Sequence, residues 1–168
     1  MNPVTTTKAA VLRELNSPLS VEKLRLQELG FGQLLVRILF SGICRSQLME
    51  QQGLRGEDKW LPHCLGHEGF GIVEAVGDGV TKCAPGDRVV LSWVKGKGIE
   101  AENPKYLSQN GSEVNSGKVT TFSTYAIVSE NRTFHAPEGF EDRFLSLFGC
   151  ALLTGGGMGI KYGSEVSD

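Results

Sequence analysis

The sequence predicts a mainly β fold with a few helices, and three observations point that way. Glycine is abundant, at 22 of 168 residues, which suits many tight turns better than a helical bundle. Gln33 to Ser41 carries the clearest strand pattern, with Leu35, Arg37 and Leu39 on one face and Leu34, Val36, Ile38 and Phe40 on the other. Apolar runs bounded by Gly77-Asp78-Gly79 and Pro85-Gly86-Asp87 give short strands at turn-limited spacing, the pattern of a small barrel or sandwich.

In chain order, Lys8 to Glu14 reads as a first strand, and Leu19 to Leu29 alternates loosely as a second that ends at Gly30-Phe31-Gly32. The strand from Gln33 delivers Cys44 to a strand end, where sites are commonly assembled. Arg45 to Gln52 is a short helical segment with Gly53 as its stop. A polar loop leads through Trp60-Leu61-Pro62-His63-Cys64-Leu65 to Gly66-His67-Glu68-Gly69. Strands are expected at Phe70 to Val76 and Arg88 to Trp93. Gly96 to Lys118 is polar and aperiodic, and reads as a long loop or disordered excursion. Strands resume at Thr121 to Val128 and Thr133 to Ala136. Glu141 to Phe148 is helical in composition, and Ala151 to Tyr162 is a glycine-interrupted helix. No repeat or linker divides residues 1–168, so one domain is expected.

Composition excludes several function classes. At 40% hydrophobic and 21% charged, the chain is an ordinary globular protein rather than a disordered one. A net charge of −2 argues against nucleic-acid or anionic-membrane partners, which demand a basic face. Lys95-Gly96-Lys97 is a solvated loop. No apolar run approaches bilayer length, and Met1 to Thr5 shows no secretory signal, so a cytoplasmic location is expected. Four cysteines in such a chain suggest metal ligands or inert thiols rather than disulfides.

Chemistry centres on Gly66-His67-Glu68-Gly69-Phe70-Gly71, where a histidine and a carboxylate stand between glycines at the mouth of a strand. Cys44 and Cys150 are the candidate thiol partners of His67. Two cysteines and one histidine, with a fourth position left open, are the composition of a catalytic zinc site. Cys64 and Cys83 read as small apolar fillers or surface thiols, His63 as a turn residue beside Pro62, and His135 as structural. Ser46 could cap the following helix.

Cys44-Arg45-Ser46, Gly66-His67-Glu68-Gly69, Pro85-Gly86-Asp87-Arg88-Val89 and Gly149-Cys150-Ala151-Leu152-Leu153-Thr154-Gly155 occur in that order, within a match that runs from about Lys8 to Gly157. With these motifs the chain resembles the N-terminal catalytic half of the medium-chain zinc-dependent alcohol dehydrogenases. The resemblance implies a GroES-like, partly open β-barrel with one catalytic zinc held by Cys44, His67 and Cys150. It implies that an alcohol or aldehyde oxygen takes the open zinc position and that a hydride passes to or from NAD or NADP. By the same resemblance, Ser46 takes the proton of the reacting oxygen and Glu68 can approach the metal. Arg45 reaches toward the cofactor pyrophosphate.

Some residues depart from the family pattern. Gln47 stands where many members carry an acidic residue that orients the zinc histidine; an amide can still accept an imidazole N–H but adds no charge. Met49 stands where some carry a histidine that ends a proton relay. Val94 to Lys118 contains no cysteine, so no structural zinc is expected. Gly155-Gly156-Gly157-Met158-Gly159 lacks the preceding apolar strand and the spacing of a nucleotide-binding turn. With the sequence ending at Asp168, the expectation is a catalytic domain without its Rossmann domain, binding zinc without turnover. The alternatives are a non-enzymatic GroES-like module, such as a co-chaperonin subunit, and a zinc-free reductase of the same superfamily. Retention of Cys44 and Cys150 counts against both. The particular substrate, the choice between NAD and NADP, and the oligomeric state are not legible in this stretch.

Overall fold

The computed structural model describes residues 4–163, in two β layers. One sheet closes into a small barrel of β1 (Thr6–Leu12), β2 (Ser20–Arg25), β7 (Lys105–Leu107), β8 (Glu113–Asn115) and β4 (His63–Cys64), in that order. The other is an open sheet in the order β10 (Thr133–His135), β6 (Arg88–Ser92), β5 (Glu68–Val76), β3 (Gln33–Ser41) and β9 (Tyr125–Ser129). Helices α1 (Arg45–Gln51), α2 (Asp142–Leu145) and α3 (Ala151–Tyr162), and a 3₁₀ turn at Glu130–Arg132, complete the described elements. Met1 to Pro3 and Ser164 to Asp168, on which the readings of a leader and of the chain's end rest, lie outside the described residues.

β3 is central because both its faces are apolar, as its alternation predicts. Leu34 and Val36 pack with Val73, Val89, Leu91, Ala126 and Val128 in one core, with Ile38 against them. Leu35, on the opposite face, packs with Val11, Leu24, Tyr106 and Ile127 in the core between the two sheets. A third cluster, Phe70, Val90 and Leu145, seats α2 on the open sheet. The β3–β5 ladder is interrupted between Leu35 and Val36 and between Ile38 and Phe40. Gly71 lies in this irregular stretch, where a Cβ would come within 2.4 Å of the Arg37 carbonyl oxygen. Any side chain there would force the two strands apart.

The structure corrects several expectations. Gly96 to Lys118 is not an excursion: β7 and β8 form a hairpin within it, and Tyr106 is fully buried. The Tyr106 hydroxyl accepts the Ile127 N–H at 2.8 Å, tying this hairpin to β9. His63 is not a turn residue but part of β4, paired with β1 and buried. The strand expected from Thr121 begins only at Tyr125. Thr121 and Phe122 both donate their N–H to the Leu65 carbonyl at 3.2 and 3.0 Å, so they clamp a loop instead of joining a ladder. Helix α3 spans the expected residues, with no buried residue in it. Among the described residues, no helix is long and apolar enough to cross a membrane.

Glu130 joins the corrected segment to the open sheet. Its Oε1 accepts the N–H groups of Thr81 and Lys82 at 2.8 Å each, and its Oε2 accepts that of Ile99 at 2.7 Å. Burial alone would raise its pKa, but the backbone donors outweigh burial and hold the carboxyl below its ordinary value. A depressed folded-state pKa contributes stability above the ordinary carboxyl range and loses it as pH falls through the folded value. Glu130→Gln should therefore lower stability to urea by about 1–3 kcal/mol at pH 7. The gap should narrow as pH falls through the carboxylate range; a gap that stays constant down to pH 3 contradicts the assignment.

Candidate metal centre

Three chain segments deliver two thiols and an imidazole to one point. Cys44 follows β3 and occupies the N-cap of α1 with extended backbone, φ −114° and ψ 149°. Ser46 accordingly lies inside the first turn and does not cap the helix. His67 stands between β4 and β5. Gly66 before it has φ +93°, and a Cβ there would lie 2.4 Å from Thr121 Oγ1, so only glycine brings the chain past Thr121 in this conformation.

Cys150 is the N-cap of α3, and contacts from β6 and β5 dock it against the open sheet. Ser92 Oγ donates to the Gly149 carbonyl at 2.6 Å. Glu68 Oε2 accepts the N–H groups of Cys150 at 2.9 Å and Ala151 at 3.1 Å, placing an anion on the open donors of the helix start. A Cβ on Gly149 would lie 2.1 Å from the Leu91 carbonyl oxygen, so this close approach requires glycine.

One ligand atom from each of Cys44, His67 and Cys150 lies within 4.8 Å of the others. Donors around a tetrahedral zinc with Zn–S near 2.3 Å stand roughly 3.5–4 Å apart, so only a small contraction separates this arrangement from a coordination sphere. His67 Nδ1 is engaged by Gln47 at 2.7 Å. His67 Nε2 is buried and has no hydrogen-bond partner. An orphaned buried ring nitrogen beside two sulfurs fits a soft divalent ion such as zinc.

The electrostatics fit as well. Hydrogen bonds from Ser46, its side chain first and then its backbone, hold the Cys44 thiol below its ordinary value. Burial pushes the Cys150 thiol up, and the nearby Cys44 charge adds to this. Burial also lowers the His67 pKa against the opposing pull of Glu68, keeping the imidazole neutral as a ligand must be.

These groups line a cavity of about 470 Å³. Ser46 lines it beside Cys44, while Trp60, Leu65, Trp93 and Val119 form an apolar wall. Arg45 is exposed at the start of α1. Glu68 is 1% exposed and does not line the cavity; its carboxylate faces the backbone of Cys150. The amide of Gln47 meets His67 in the opposite sense to the sequence expectation, because its oxygen is taken by the Cys44 N–H at 2.7 Å.

Asp58 and Glu50, absent from the sequence reading, form a further trio with His63, of which Glu50 and His63 line the same cavity. There His63 Nε2 lies 2.8 Å from Asp58 Oδ2 and Nδ1 lies 3.0 Å from the Cys64 carbonyl, so both ring nitrogens are engaged away from the sulfur pair. No motif marks Asp58, which sits in the polar loop before Trp60. Cys64 and Cys83 are both buried, so neither is a surface thiol, and Cys83, Asp87 and His135 each bring a potential ligand atom within 4.8 Å of the others. His135 is exposed, with Nε2 2.8 Å from the Lys82 carbonyl.

Residues 30–138 match the family described as the alcohol dehydrogenase GroES-like domain. The chain is 31% identical to alcohol dehydrogenase class-3 of Myxine glutinosa, over 89% of this chain and 46% of that protein. It is likewise 31% identical to geraniol dehydrogenase of Castellaniella defragrans, over 92% of this chain and 47% of that protein. A crystal structure of an alcohol dehydrogenase zinc-binding domain protein from Burkholderia ambifaria matches with a TM-score of 0.80 at 27% identity, covering 93% of this chain and 48% of that one. The chain thus spans about half the length of the relatives it matches.

The thiols should differ in reactivity in the metal-free chain. Cys44, with the lowered pKa, should be alkylated first by limiting iodoacetamide at neutral pH, ahead of Cys150. Cys64, its thiol pushed up to about 12 by burial, and the buried Cys83 should react only after unfolding. Peptide mass spectrometry reads the order, and modification of Cys150 before Cys44 contradicts it.

Proposed function

Because the chain belongs to the alcohol dehydrogenase GroES-like domain family, we propose that it is the zinc-bearing catalytic portion of an alcohol dehydrogenase. The reaction proposed is hydride transfer between a small alcohol or aldehyde and NAD or NADP. The observation that carries this reading is the orphaned, buried His67 Nε2 beside the Cys44 and Cys150 sulfurs.

Cys44 and Cys150 would hold the metal as thiolates and His67 as a neutral imidazole through Nε2. Bound zinc would supply a Lewis acid that lowers the pKa of an alcohol hydroxyl. Ser46 lines the cavity next to Cys44, and its hydroxyl both accepts and donates. It is assigned to orient the substrate hydroxyl, take its proton during oxidation and return one during reduction. The wall of Trp60, Leu65, Trp93 and Val119 receives the carbon side of the substrate. Arg45, exposed at the start of α1, offers a planar cation for a dinucleotide pyrophosphate.

Glu68 is assigned chiefly to hold Cys150 in place. Any approach of its carboxylate to the metal would first require release of the Cys150 and Ala151 N–H groups. One zinc per chain is proposed, since Val94 to Lys118 has no cysteine for a second, four-thiolate site.

Zinc titration of the metal-free chain against a chromophoric chelator tests the reading. The expected result is one tightly held zinc per chain, with tight binding lost in each of Cys44→Ser, His67→Ala and Cys150→Ser. Zinc held equally well by those variants, or not held by the parent chain, overturns it.

A further inference from the structure

Gln47 touches two of the three groups assigned to the metal, and its amide has one acceptor for two potential donors. Its Oε1 accepts the Cys44 N–H at 2.7 Å, and its Nε2 lies 2.7 Å from His67 Nδ1. A backbone N–H only donates, so the amide atom facing it is oxygen, and the end facing His67 is the NH₂ group. That group also only donates, so His67 Nδ1 accepts. The single proton of the neutral ring then sits on Nε2, the buried atom without a partner.

This arrangement pairs both ends of the Gln47 amide in the metal-free chain, leaves the Nε2 proton without a partner, and conflicts with the loaded state. Coordination through Nε2 needs the lone pair there, so the ring proton must sit on Nδ1 instead. At Nδ1 it meets the NH₂ group of Gln47. Turning the amide over gives Nδ1–H an oxygen but aims the NH₂ at the Cys44 N–H. Gln47 is buried against the cavity wall, which limits replacement of the lost bond by water. A carboxylate at this position has an oxygen for each donor and meets no such conflict.

We propose that Gln47 is a positioning residue that holds His67 in the Nε2-protonated tautomer, so that loading zinc breaks one of its two hydrogen bonds and weakens zinc binding. This rests on the reading of Cys44, His67 and Cys150 as zinc ligands. It sets this chain's metal affinity below that of the same site with an acidic residue at position 47.

Two measurements on the 168-residue chain test the proposal. Long-range ¹H–¹⁵N correlation spectra report the ring tautomer of His67 without any substitution. The expected result is Nε2–H in the metal-free chain and Nδ1–H after zinc is added, with Nδ1–H already present in metal-free Gln47→Glu. Competition against a chelator should show Gln47→Glu binding zinc about 10–100-fold more tightly than the parent. A metal-free parent already in the Nδ1–H form, or equal zinc affinity of parent and variant, overturns the proposal while leaving the zinc reading intact. Failure of both chains to bind zinc overturns the two together.

Discussion

The site depends on one buried carboxylate-bearing residue, Glu68, through which all three ligand segments are joined. Its side chain holds the N–H groups of Cys150 and Ala151. Its carbonyl receives the Thr121 hydroxyl at 2.9 Å and the Ser41 hydroxyl and Gly42 N–H at 3.2 Å each, which fixes the turn that leads to Cys44. Its neighbour in sequence is His67. A Cβ on Gly42 would come 2.4 Å from Glu68 Oε1, so even the turn residue is limited by this side chain. A buried carboxylate is costly unless donors surround it, and here those donors belong to the segment that must be held.

The surrounding β layers make that constraint rigid. Glu68 opens β5, which lies between β3 and β6, and β3 is gripped on both faces by apolar cores. Cys44 leaves the end of β3, His67 enters β5 and Cys150 docks on β6 through Gly149. The thiols and the imidazole thus hang from three adjacent strands of one sheet. Positions set by strand ladders and packed cores move less than positions set by loops, which suits ligands that must share one ion.

Much of this was legible in the residues themselves. Gln33 to Ser41 reads correctly as a strand because its alternation continues across nine positions. The glycines around His67 mark close backbone approach, and the structure shows it at Gly66 and Gly71. Gly96 to Lys118 reads as a loop because its buried contacts come from scattered residues such as Tyr106 and Val114, in a polar stretch without period. The Asn110-Gly111 pair between them, with Gly111 at φ +82°, was the hairpin signal available there. The hold of Glu68 on Cys150 had no local signal at all, because its partners lie 82 and 83 positions away. The sense of the Gln47 amide was hidden for a similar reason, since it follows from a backbone donor at Cys44 that only the folded turn presents.

X-ray absorption at the zinc edge of the zinc-loaded chain tests the central claim most directly. Two sulfur scatterers at about 2.3 Å, one imidazole nitrogen at about 2.0–2.1 Å and a remaining light-atom donor are the shell this account predicts. A shell with no sulfur, or with more than two sulfurs, would contradict it.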